Sequence, residues 1–157
     1  MTDEPDDPPR VVVWVRELSV PPGDPREAVL SRLGELESRG LVADVSLRVW
    51  GATVDAAVVD GGEFEQPVRS CVAEFHRWAE RTGHSLEPAF RREQRSSMLS
   101  TERSAVVRLP RVCVAVYTDG GLRGVFPCSP AEEAGTETVW DCLDRLGAGA
   151  AAGKPLE

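Results

Sequence analysis

The run VVVWVREL (11–18), followed closely by GDPREAVLSRLGELESRG (23–40), constrains the fold more than any other part of this chain. Consecutive β-branched residues fit a pleated, buried strand and predict one over 11–18. The next segment carries a full set of helix signals. Asp24 stands at the N-cap, Pro25 at the first helical position, and Glu27 where it completes a capping box. Val29, Leu30, Leu33 and Leu36 recur at helical spacing, and Gly40 supplies the stop. ADVSLRVWG (43–51) then alternates strictly and predicts a second strand.

The remaining elements follow from the same periodicities. TVDAAVVDGG (53–62) extends that strand or forms a short one closed by a turn at 60–62. A helix is expected from about Gln66 to Thr82, with the stripe Val68, Cys71, Val72, Phe75, Trp78 and Ala79 and the stop Gly83. Residues 84–104 have no clean period and are expected as a long, partly ordered loop. SAVVRLP, RVCVAVYT and LRGVFPC give two or three strands, and TETVWDCLDRL (136–146) a closing helix. This order predicts an α+β domain over 11–146, a mainly antiparallel sheet with helices on one face, a ferredoxin-like variant being the nearest arrangement. The acidic, proline-rich residues 1–10 and the Gly/Ala-rich residues 147–157 read as flexible tails.

Several functional classes find no support. No apolar run approaches the roughly 20 residues that span a bilayer, and the acidic start is unlike a secretory signal, so a cytoplasmic protein without membrane partners is expected. There is no glycine-rich phosphate loop; DGG at 60–62 and at 119–121 reads as turns. Cys71, Cys113, Cys128 and Cys142 contain no closely spaced pair of the kind zinc sites use, and they read as reduced core residues. Around the 119–121 turn the hairpin register is open. A turn at Gly120–Gly121 puts Cys113 opposite Cys128, whereas one at Asp119–Gly120 puts Phe126 there. His76 and His84 lack partners at ligand spacing and are expected at the surface. No catalytic residue, metal or cofactor is predicted, and the chain reads as a non-enzyme.

Two surfaces could bind a partner. Alternation places Trp14 and Arg16 on one face of the first strand, with Arg48 and Trp50 on the matching face of the second. Such a face could stack and clamp bases, or be covered by another element or a second subunit. Residues 91–111 carry six arginines against two glutamates in a chain of net charge −8; Arg91, Arg92, Arg95 and Arg103 are candidate anion-binding groups.

SRLGELESRGLVADVSLRVWG (31–51) resembles the end of a winged-helix domain, where a recognition helix leads into the wing. That resemblance implies DNA-facing Ser31 and Arg32, with Leu33 and Leu36 in the core. Across 11–146 the chain is similar to a family of small acidic proteins of halophilic archaea, sometimes labelled as a presumed helix-turn-helix domain. The shared features are Trp14-Val15-Arg16, Val49-Trp50-Gly51, Phe75 with Trp78-Ala79, Leu109-Pro110 and Pro127-Cys128. The resemblance implies no known activity. The expectation is a nucleic-acid-associated, transcription-regulating protein. A homodimerisation or protein-interaction module, or a small anion-binding domain that could be enzymatic, are the alternatives.

Overall fold

The computed structural model describes residues 8–17, 23–55, 67–86, 89–96, 103–119, 121–130 and 137–148. In chain order the elements are β1 (Arg10–Val15), α1 (Pro25–Ser38), β2 (Asp44–Val49), β3 (Thr53–Asp55), α2 (Pro67–Thr82), β4 (His84–Ser85), β5 (Arg91–Ser96), β6 (Arg103–Arg108), β7 (Val112–Thr118), β8 (Gly121–Phe126), β9 (Ser129–Pro130) and α3 (Val139–Gly147). The fold is α+β. The expected turn at 60–62 and, of the two expected tails, residues 1–7 and 149–157 lie outside the described residues.

The main sheet has the order β2-β1-β7-β8. β1 and β2 run parallel, whereas β1–β7 and β7–β8 are antiparallel. Parallel neighbours cannot be joined by a tight turn and need a crossover of a dozen or more residues. α1 is that crossover. Its start is held by Asp24, whose carboxylate accepts from the Arg26 backbone N–H at 2.8 Å and from the Arg26 guanidinium Nε at 2.9 Å. This partnership replaces the Glu27 box expected from the sequence and explains how a charged residue, Arg26, is buried.

Cross-strand register sorts the core into two layers. Val11, Val13 and Val15 lie opposite Val116, Val114 and Val112 on one face, and Trp14 lies opposite Cys113 on the other. The valine face is covered by α1, through Val29, Leu33 and Leu36, and by α3, through Cys142, Leu143 and Leu146. α2 covers the tryptophan face, with Phe75 edge-on to Trp50 at 6.3 Å and the Tyr117 hydroxyl donating to Glu74 at 3.3 Å. Helices therefore flank both faces of the main sheet, in place of the single helical layer and ferredoxin-like arrangement expected. The cause is written in β1: a central strand buried on both sides reads as an unbroken apolar run.

Two smaller sheets complete the fold, β3-β6-β5 and β4-β9. They correct the loop expected over 84–104, where β4 and β5 form. β5 is arginine-rich and pairs with β6 from Arg91↔Arg108 to Ser96↔Arg103. In the β7–β8 hairpin the pair nearest the turn is Thr118↔Gly121. A bulge then shifts the register between Val116 and Tyr117, so that Val114 faces Phe126. Cys113 thus lies opposite neither Cys128 nor Phe126, and all four cysteines are free.

Candidate functional site

The expected tryptophan platform is closed. Trp14 and Trp50 stack on each other at 5.4 Å and are only 5% and 6% exposed. Phe75 and Phe90 close over Trp50, the latter edge-on at 5.6 Å, and the Trp50 indole N–H donates to the Pro110 carbonyl at 3.3 Å. No base can reach these rings without opening the core. The arginines of that face have separated. Arg48 is exposed on the edge strand β2, while Arg16 turns to the Leu109 carbonyl, to which its Nε donates at 2.8 Å.

Arg16 leads to a group of arginines at the end of β1. Burial, and then the neighbouring Arg108 and Arg111, hold its pKa below the ordinary guanidinium value. Arg108 and Arg111 are exposed, and Arg91, also exposed, is the cross-strand partner of Arg108. Carboxylates stand among these arginines: Glu93 lies 3.8 Å from Arg108, Glu17 acts on Arg16, and Asp24 is within the field of Arg111. The arginines form a ridge of guanidinium groups from the end of β1 across the β5–β6 hairpin. Arg92 points elsewhere. It lines a cavity of about 230 Å³ with His76, Glu80, His84, Phe90 and Val107. Of Arg95 and Arg103 only the backbone is described, on the same hairpin.

α1 is a poorer candidate for nucleic-acid contact. Ser31 is exposed, but Arg32 is half-buried, paired with Glu35 at 3.4 Å and packed near Gly147. The exposed positions Glu27, Glu35 and Glu37 outnumber Arg39, so a phosphate backbone would meet net negative charge there. β2 and β3 separate α1 from α2, so no two consecutive helices among the described residues are joined by a short turn.

One cluster was not legible in the sequence. His84, Cys128 and Glu137 bring their ligand atoms within 4.8 Å of one another. Backbone pairing assembles them: β4 lies on β9 through His84↔Pro130 and Ser85↔Ser129, and Cys128 exchanges two hydrogen bonds with Glu137, at 3.0 and 2.7 Å. Both histidines are half-buried, against the exposure expected of them. His84 stacks on Trp78 at 4.8 Å, and His76 Nδ1 lies 3.0 Å from the Val72 carbonyl. Burial, then the Glu137 carboxylate, push the Cys128 thiol up to about 12. Cys71 is also pushed up to about 12, mainly by burial, so neither is a free nucleophile near neutrality.

The chain belongs to a family described as a helix-turn-helix domain, whose model matches residues 3–151. That description carries a nucleic-acid-binding, regulator-like role. No curated protein and no solved structure matches the chain. No helix among the described residues is long and apolar enough to cross a membrane.

Proposed function

We propose that the protein is a non-enzymatic, cytoplasmic regulator that binds nucleic acid through the arginine ridge of Arg16, Arg91, Arg108 and Arg111. The juxtaposition of Arg16, Arg108 and Arg111 carries this reading. Like charges repel, and gathering them on the surface of a chain of net charge −8 is useful where an anion neutralises them. Contacts of this kind position the protein on a phosphate backbone. Specificity would come from the hairpin's polar side chains or from nucleic-acid shape. Arg95 and Arg103 extend the same strands.

The test is fluorescence anisotropy of labelled duplex DNA and single-stranded RNA at ~0.2 M and ~2 M KCl, a range over which phosphate contacts weaken steeply. The double variant Arg108→Glu, Arg111→Glu is expected to abolish saturable binding at the lower salt. Alanine at the same two positions should reduce the salt slope by about 2, one for each guanidinium taken off the phosphate backbone. Ser31→Ala with Arg32→Ala should leave affinity unchanged within about twofold, since neither lies on the ridge. Retained affinity in the Arg108/Arg111 variants would move the interface elsewhere.

One observation favours a second reading, a homodimer. β2 is an edge of the main sheet with Leu47 and Val49 at 43% and 42% exposure. Trp50 donates its backbone N–H to Val15, so odd-numbered residues of β2 direct their backbone groups outward. Antiparallel pairing of two copies about Ser46 would then set Asp44 opposite Arg48 twice and Val45 opposite Leu47 twice. Light scattering should show a dimer that Leu47→Lys converts to monomer; a monomeric native chain removes this reading.

A further inference from the structure

We infer that His84, Cys128 and Glu137 bind a divalent transition-metal cation of the zinc class, with a fourth coordination position left open. The donor set is a nitrogen, a sulfur and an oxygen, which together suit zinc and its neighbours better than the oxygen-seeking magnesium or calcium. Glu137 Oε2 lies 3.9 Å from His84 Nε2 and 3.8 Å from Cys128 Sγ. The first exceeds a normal hydrogen bond between nitrogen and oxygen, and across the second the thiol donates weakly to the carboxylate. Both lie close to the spacing of about 3.3–3.6 Å between donors that share a tetrahedral cation at zinc–ligand distances of about 2.0–2.3 Å.

The proton inventory supports the same conclusion. Thr82 has one hydroxyl proton and donates it to the Trp78 carbonyl at 2.8 Å. Its oxygen, 2.8 Å from His84 Nδ1, must therefore accept a proton from that nitrogen. With Nδ1 occupied by Thr82, Nε2 is the ring nitrogen left on the side of Glu137 Oε2. The surrounding contacts are those of oriented metal ligands. Thr82 and the stacked Trp78 fix the imidazole, and Arg145 engages Glu137 Oε1, leaving Oε2 for the site.

Three protein ligands with a fourth position open is the pattern of zinc sites that accept water or another donor. Access is through His84 and Glu137, whose side chains are 18% and 19% exposed, whereas Cys128 lies behind them at 1%. His84 also lines the cavity shared with His76, Glu80 and Arg92. Binding replaces the thiol proton by the cation: the Cys128 S–H bond breaks, the sulfur–metal bond forms, and one proton leaves to solvent.

The experiment is titration of the chelator-treated full chain with Co²⁺, followed by displacement with Zn²⁺. The expected result is saturation at one equivalent, a near-ultraviolet sulfur-to-cobalt charge-transfer band, visible bands of four-coordinate intensity, and loss of both on adding one equivalent of Zn²⁺. Cys128→Ser should remove the charge-transfer band and Cys71→Ser should keep it. His84→Gln, which spares the buried sulfur, should weaken Co²⁺ binding at least tenfold, and Thr82→Val by about tenfold through loss of the Nδ1 partner. Absence of the charge-transfer band in the native chain overturns the proposal. So does a band of full strength in His84→Gln or in a Cys128→Ser variant with native circular dichroism.

Discussion

Trp50→Ala will lower the stability of the fold by about 3–5 kcal/mol, the range for truncating a large buried aromatic side chain. At roughly 2–4 °C per kcal/mol for a domain of this size, the melting temperature should fall by roughly 6–20 °C. The expectation follows from what the ring touches. Trp50 is the hub of the aromatic layer, stacked on Trp14 and edge-on to both Phe75 and Phe90. Those partners come from β1, α2 and the turn before β5, so the ring joins three parts of the chain that the backbone sheets leave separate. Trp50→Phe should recover part of the loss, keeping a ring but giving up the hydrogen bond to Pro110. Urea titration followed by circular dichroism measures both. A loss below about 1 kcal/mol for Trp50→Ala would mean that the ring stands open to solvent, and the base-stacking face would return as a candidate.

That face shows what a single sequence can and cannot disclose. Alternation places Trp14 and Trp50 on the same side of adjacent strands, and the parallel pairing Trp14↔Arg48 and Val15↔Val49 agrees. What covers that side is set by contacts between distant segments. α2 and Phe90 supply the cover, and Phe90 lies in a stretch with no periodicity. β5 was hidden for a related reason. RREQRS has no apolar alternation, because β5 is the outer strand of a small sheet and its order comes from pairing with β6, where Val107 is deeply buried. α1, α2 and α3 were legible because caps, stripes and glycine stops act locally. The arginine excess over 91–111 was legible as composition, but its focus on Arg16, Arg108 and Arg111 required the end of β1 to meet the β6–β7 connection. The His84, Cys128 and Glu137 cluster depends on a bridge between Cys128 and Glu137 and on the short β4–β9 pair, neither of which has a sequence signature.

Leu33→Ala is the second large effect, expected at about 2–5 kcal/mol, and it bears on how the family description applies to this chain. In a winged-helix reading α1 is a recognition helix whose outer residues meet DNA. In this fold α1 is the crossover between the parallel strands β1 and β2, and Leu33 is fully buried between the valine face of the sheet and α3. Truncation leaves a cavity that Val13, Leu36 and Leu143 cannot fill without moving, because each is already packed at 1% exposure or less. The outer positions behave oppositely: Ser31→Ala should change stability by no more than about 0.5 kcal/mol, as exposed sites do. Measured together in urea and in the anisotropy assay, the two variants separate structure from contact. Leu33→Ala should lose stability while retaining, below its unfolding midpoint, the native affinity per folded molecule, because the arginine ridge lies at the far end of β1. A loss of affinity in Ser31→Ala with stability intact would instead place nucleic acid on α1 and restore it as a recognition helix.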